Sequence, residues 1–301
     1  MAIGTIGEGL FELGLDEDDV HGPLRRGYGG DAANTAVMAA RLGHEARLCS
    51  RVGSDALGRL LLAFWRESGV DTRWVVEDTS APTGVYVNER APDGHRFNYH
   101  RRGSAGSCLG PHDVPDDFVD GLAFLHTTGV TLAVSSSAAD AARGASRRAR
   151  EHGIAASFAV NHRPPLGGDL AQLLEEARAS DVVFTSDEEG VLLLETDEPG
   201  EIARALGGRT REVVVTRGSR GAVVVAEGVQ EEVTAPPVEV VDAAGAGDAL
   251  AAAYLCARLE GAEPRAALER GVAAASLSCL AHGCALSYPD AASVVALTAA
   301  R

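Results

Sequence analysis

The stretch Val240–Leu250, VVDAAGAGDAL, constrains this 301-residue chain more than any other. A β-branched run, which reads as a strand, breaks into Gly-Ala-Gly and then into an alanine-rich segment that predicts a helix from about Asp248 to Leu259. Gly245 and Gly247 permit positive φ and let the backbone approach a ligand with no Cβ between them. The first turn of a helix presents amides without intrahelical partners, at the positive end of its dipole. A strand-to-helix turn of this kind is an anion site. Asp248 falls in that first turn, beside the same amides. Its carboxylate suits removal of a proton from a hydroxyl while a transferring phosphoryl group gathers charge against the amides. It also suits a plain helix cap, and the local pattern alone serves both.

Composition removes several rival chemistries. Every one of the 27 basic residues is arginine, so the lysine of a Walker phosphate loop, a protein kinase, a Schiff-base aldolase or a pyridoxal enzyme is missing. The net charge of −16, with no basic block, argues against nucleic acid and anionic membrane surfaces as partners. The five cysteines are scattered without a C-x-x-C, which predicts free thiols in a reducing cytoplasm rather than a disulfide framework. No apolar run reaches membrane length and no export leader is evident, so a soluble cytoplasmic protein is expected.

Along the chain, Ala2 to Leu15 reads as a strand running into an edge segment, and Asp16 to Asp19 as a solvated turn. Gly27 to Gly43 is a glycine turn opening a helix with Ala33, Ala36, Val37 and Ala40 at helical spacing. Ala46 to Val52 reads as a strand. Asp55 caps a helix striped by Leu57, Leu60, Leu61 and Phe64. Thr83 to Arg90 and His95 to Arg101 flank Pro92, Asp93 and Gly94 as a hairpin. From Ala123 strands and helices alternate, the mark of a parallel, helix-covered sheet. Asp181 to Thr185, Glu212 to Thr216 and Ala222 to Ala226 are further strands, and Pro264 to Ala281 predicts two alanine-rich helices.

Gly245–Ala249, GAGDA, with Asp242 ahead of it, resembles the C-terminal signature of the ribokinase-like (PfkB) carbohydrate kinases. Gly29, Gly30 and Asn34, followed by Gly43 and Gly53, resemble the N-terminal signature of the same family. The likeness covers nearly the whole chain. It implies an α/β fold with a mostly parallel central sheet flanked by helices, and a small β-sheet lid built from segments at about 8–30 and 83–102. It implies Asp248 as catalytic base, with the amides of Gly245, Ala246 and Gly247 as anion hole. Gly30 and Asn34 would hold sugar hydroxyls. Thr216, Gly218 and Gly221 would turn around the ATP phosphates and ribose. Ser186 stands where the family carries asparagine beside the nucleotide, and Glu189 keeps the acid that supports Mg²⁺ from a second coordination shell. ATP and Mg²⁺ are thus the implied cofactors, with a monovalent cation in some members, and lids that pair into a homodimer.

The segments GVYVNER and FNYHRRGSAGS resemble the 2-keto-3-deoxygluconate kinases within the family. That resemblance implies sugar-acid contacts from Tyr86, Tyr99 and Arg101. An arginine fork fits a carboxylate bidentately, although Arg101 and Arg102 also read as surface charges on an edge strand. Asn161 and Arg163 match a D-x-N-x-R stretch of the sugar-acid kinases; Ala159 departs from it. The implied activity is ATP-dependent phosphorylation of a sugar acid, with 2-keto-3-deoxygluconate first, a neutral sugar or a nucleoside as alternatives, and a non-catalytic sugar-binding protein as a remote one.

Overall fold

The computed structural model describes residues 1–16, 22–91 and 94–299. Its strands are β1 Ala2–Ile6, β2 Leu10–Asp16, β3 Arg25–Gly29, β4 Ala46–Gly53, β5 Val75–Asp78, β6 Val85–Ala91, β7 Gly94–His100, β8 Leu122–Thr128, β9 Ala155–Ala159, β10 Val182–Ser186, β11 Glu212–Thr216, β12 Ala222–Ala226 and β13 Val229–Val233. Its helices are α1 Asp31–Arg41, α2 Ala56–Glu67, α3 Gly129–Val134, α4 Ser136–Glu151, α5 Leu170–Ala179, α6 Asp187–Leu194, α7 Pro199–Leu206, α8 Ala246–Leu259, α9 Pro264–Ser278 and α10 Ala291–Ala299. A nine-stranded sheet runs in the order β13-β12-β11-β10-β9-β8-β1-β4-β5. Neighbours are parallel from β11 across to β5, and only β12 and β13 run against them.

The apolar runs explain this arrangement. A strand covered on both faces must be apolar at every position, and the period of two then divides its side chains between two cores. In β10 and β11, Val182, Phe184 and Val214 join the core built by α1, α2, α8 and α9. Val183, Val213 and Val215 join the opposite core with residues of α4, α5 and α7. Because the crossovers are parallel, the chain leaves β1, β9, β10 and β11 at one edge of the sheet, where ligands of open α/β sheets bind.

A second sheet of four strands, in the order β3-β2-β6-β7, stands over that edge. Its segments coincide with the predicted 8–30 and 83–102. Within it, buried Glu12 accepts hydrogen bonds from the Tyr86 hydroxyl and, at 3.1 Å, from Asn88 Nδ2.

Several expectations need correction. Ala2–Leu15 is not one strand, since β1 is central in the large sheet and β2 belongs to the small one. The break at Gly7–Gly9 lets Trp65 pack so closely that no Cβ fits on Gly9. The run before the Gly-Ala-Gly turn forms no strand: β13 stops at Val233, and Pro236 and Pro237 then supply no amide donors. Instead Val241 N and Asp242 N donate to the carbonyl of Cys279 at 2.8 and 3.2 Å. Pro264–Ala281 holds one helix, α9, while α10 lies further on. The Pro92-Asp93 part of the hairpin turn and the acidic run at 17–19 lie outside the described residues. Among the described residues no helix is long and apolar enough to cross a membrane.

Trp65 is fully buried between α2 and the Gly9 junction that joins the two sheets. Trp65→Ala should cost about 3–5 kcal/mol of stability, measured by denaturant unfolding.

Candidate active site

A cavity of about 450 Å³ opens between the small sheet and the carboxyl edge of the large one, and the Gly-Ala-Gly turn forms part of its wall. Gly245 is in the left-handed region at φ 79 and forms the N-cap of α8. Only glycine fits, because a Cβ there would collide with Cys284 Sγ and stand 2.7 Å from the Tyr288 hydroxyl. The Tyr288 hydroxyl in turn donates to the Gly245 carbonyl at 2.8 Å, and buried Asp242 ties the turn down by accepting from Ala244 N at 2.9 Å and Gly283 N at 3.1 Å. Within this frame Ala246 N bonds to the Ala243 carbonyl, whereas the amides of Gly247 and Asp248 meet no acceptor among the described residues. Those two amides, at a helix N-terminus facing a cavity, fit a phosphoryl group.

Asp248 is buried at the cavity wall. Asn34 Nδ2 donates to its Oδ2 at 2.8 Å, and Asn161 Nδ2 reaches its Oδ1 at 3.2 Å. Asn34 comes from α1, which the chain enters through Gly30 at φ 109; a Cβ on Gly30 would collide with the Glu8 carbonyl oxygen. Asn34 Oδ1 is buried without a partner, so it has an acceptor to offer a ligand hydroxyl. Asn161, just past β9, is held at φ 39, a strained value for a residue with a Cβ. The expectation of an ordinary, ionised Asp248 is not met. Burial, and then the negative charge of Asp31, push its carboxyl up to about 8, against the opposing pull of Asn34, Arg163 and Asn161.

The two arginines differ. Arg101 is buried and forms an ion pair with buried Glu8 in the cavity wall, so its charge is already partnered by the protein. Burial lowers its pKa to about 10. Arg163 lies exposed at the rim. Burial of its guanidinium works against the charge, yet Asp31, Asp248, Tyr99 and Glu189 outweigh it and hold its pKa above the ordinary value. Tyr86 and Tyr99 both line the cavity with ring centroids 5.8 Å apart, but the Tyr86 hydroxyl is spent on Glu12.

The presumed nucleotide residues sit together at the adjoining strand ends. Ser186 and Thr216 are register partners of β10 and β11. Gly218 and Gly221 follow with φ 56 and 97. Ser186 and Glu189 form a capping box at the start of α6: Ser186 Oγ accepts from Glu189 N at 3.1 Å, and the Glu189 carboxylate accepts from Ser186 N at 2.9 Å and His162 N at 2.7 Å. Glu189 therefore braces the Asn161–Arg163 loop against α6. Among the described residues no three His, Cys, Asp or Glu side chains gather as a ready metal cage. A divalent ion fits here as a companion of bound phosphates, which Mg²⁺ favours over all-protein sites.

Sequence reasoning passed over Asp31, Glu8 and Cys284, all in the cavity wall. For Asp31 there was a signal. Like Asp248, it stands directly after a glycine turn in the first turn of a helix. For the other two there was none, because their neighbours lie 93 and 250 residues away (101 − 8 and 284 − 34).

An anion-binding helix start, a buried carboxylate and a cavity rimmed by hydroxyl-reading side chains define a phosphotransferase with an alcohol acceptor. The chain matches the pfkB family carbohydrate kinases over residues 8–291 and belongs to that family. It is 35% identical to the 2-dehydro-3-deoxygluconokinase of Thermoproteus tenax, over 92% of this chain and 88% of that protein. It is 32% identical to the 2-dehydro-3-deoxygalactonokinase of Haloferax volcanii, over 95% and 93%. Among solved structures it resembles the Vibrio cholerae O395 fructokinase in its fructose, ADP and calcium ion bound form, with a TM-score of 0.86, 25% identity and coverage of 98% of both chains. The expected ribokinase-like α/β fold and the expected reaction class, ATP-dependent carbohydrate phosphorylation, are both met.

The raised Asp248 carboxyl has a consequence for stability. The folded protein holds a proton there that the unfolded chain releases at the ordinary value of 3.8, so this contribution is complete below about pH 4 and lost as pH climbs towards about 8. Melting temperature of the ligand-free protein should fall across that window, and Asp248→Asn should flatten the fall, as read by calorimetry at several pH values.

Proposed function

We propose that this chain transfers the γ-phosphoryl group of ATP to a hydroxyl of a sugar acid, with 2-keto-3-deoxygluconate as the first candidate. The observation that carries the reading is Asp248, held by Asn34 and Asn161 next to the unbonded amides of Gly247 and Asp248 in one cavity. In the proposed step the acceptor hydroxyl sits beside the Asp248 carboxylate. As the bond from its oxygen to phosphorus forms and the phosphorus–oxygen bond to ADP breaks, its proton passes to Asp248. Charge on the transferred group is met by the amides of the Gly245–Gly247 turn and the start of α8. Mg²⁺ accompanying the phosphates would neutralise charge there, with Glu189 oriented to support its waters. Thr216, Gly218, Gly221 and Ser186 would bound the nucleotide.

On the sugar side, Asn34 Oδ1 and the Gly30 turn would read hydroxyls, and Arg163, exposed at the rim, would take the carboxylate. Tyr99 and the aliphatic part of the Arg101–Glu8 pair would close the other wall as the small sheet acts as a lid. A neutral-sugar kinase is the second reading, and one observation favours it: Glu8 already pairs Arg101, leaving a single arginine for an acid. The exposed edge strand β7, with Phe97 on its surface, supports pairing of two lids in a homodimer. Five free cysteines support a reducing, cytoplasmic setting.

ADP release with Mg²⁺-ATP should be supported by 2-keto-3-deoxygluconate above its galactonate epimer, fructose, ribose and nucleosides. Turnover confined to neutral sugars would overturn the acid reading and leave the reaction standing. Arg163→Ala should raise KM for sugar acids by about tenfold or more and leave any neutral sugar unaffected. Asp248→Asn should lower kcat about a thousandfold with ATP still bound, measured by steady-state turnover and by calorimetric titration of nucleotide.

A further inference from the structure

Asp31 is a second carboxylate in the cavity for which the reaction outlined above has no use. It is the first residue of α1, directly after the Gly30 turn. Its Oδ2 accepts a hydrogen bond from Asn161 Nδ2 at 2.8 Å, and the same nitrogen reaches Asp248 Oδ1 at 3.2 Å. One NH₂ group has two hydrogens, and here each is directed at a different carboxylate. Among the described residues Asp31 is the carboxylate that shares a hydrogen-bond donor with Asp248. Asn161 is itself fixed, in a strained conformation just past β9, by the His162–Glu189 bond next to it.

We propose that Asp31 is a positioning residue for Asp248: through the shared Asn161 amide and through its own negative charge it holds the reactive carboxylate in place and makes it a stronger proton acceptor. The proposal rests on the reading of Asp248 as the base. A carboxylate beside another carboxylate gains affinity for a proton, since protonation relieves the repulsion. The other groups facing Asp248 do not supply this. Arg163, past β9, carries a positive charge and acts in the opposite sense. Cys284 and Tyr288, from the segment that closes under the turn, are pushed well above their ordinary values, by burial foremost, and remain neutral. Tyr99 from β7 and Glu189 from α6 act on Arg163, and Glu8 is paired with Arg101. The arrangement places a repelling charge close to the base while Asn161 keeps the two carboxylates from separating. Its kinetic signature is an acidic limb of the pH–rate profile higher than an ordinary aspartate would give.

The experiment compares pH profiles of kcat and kcat/KM for the wild type, Asp31→Asn, Asp31→Ala and Asp248→Asn, on whichever sugar is turned over. Asparagine at 31 keeps an oxygen for Asn161 and removes the charge. Asp31→Asn should move the acidic limb down by about one pH unit or more and lower the alkaline plateau of kcat about threefold, as a weaker base does, with KM for the sugar unchanged. Asp31→Ala, which also frees Asn161, should lower the plateau further. A second readout needs no substrate: melting temperature of ligand-free Asp31→Asn should exceed that of the wild type at pH 9 and match it at pH 4. An unmoved limb, or a rise in KM as the sole effect, would overturn the proposal and make Asp31 a reader of sugar hydroxyls. Full turnover by Asp248→Asn would remove the base reading and this proposal with it, whereas an inactive Asp248→Asn with an unmoved Asp31→Asn limb removes this proposal alone.

Discussion

The site depends on one constraint, the start of α8 held open against a cavity. A helix start ordinarily satisfies its amides with a capping side chain, as α2 does through Asp55 and α6 through Ser186. α8 has Gly245 there instead, with no side-chain cap. The turn is kept in place from below, by the Tyr288 hydroxyl on the Gly245 carbonyl and by Asp242 bridging Ala244 and Gly283. The cost of leaving amides unbonded is thus borne by contacts behind the turn, and the front is left for an anion. Asp248 is carried into the same space by the helix itself.

Charge is managed in pairs around this opening. Arg101 and Glu8 neutralise each other in the wall, Arg258 and Tyr254 bind Glu212 behind the sheet, and Arg220 pairs with Asp187 at the start of α6. What is left facing the cavity is a small set: Asp31, Asp248 and Arg163. A chain with no lysine has to place its cavity charge through arginine, whose long planar fork needs partners wherever it is buried. That explains why one arginine of the sugar side is found inside, paired, and the other at the rim.

Much of this was legible in the chain. The alternation of apolar strands and helices gave the parallel sheet, because burial on both faces leaves a mark at every residue. The two glycine turns gave the ends of α1 and α8 and drew Asn34 and Asp248 into one reading through a family resemblance. Local pattern misled where tertiary contacts decided. Val238–Val241 has strand composition but no neighbour to pair with, and it is tied to Cys279 instead. The Arg101 pattern suggested an exposed or substrate-facing guanidinium, and the fold gave it Glu8.

The sequence by itself determined the architecture, the helix starts at Gly30 and Gly245, and the residue types that face the cavity, since periodicity and glycine placement are local properties of a chain. Only the tertiary structure decided the electrostatics. Asp31 and Asp248 are 217 positions apart (248 − 31) and become neighbours through Asn161, which comes from a third element. A carboxyl group takes its proton affinity from the water it has lost and the charges it has met, and both are set by which distant segments are packed against it.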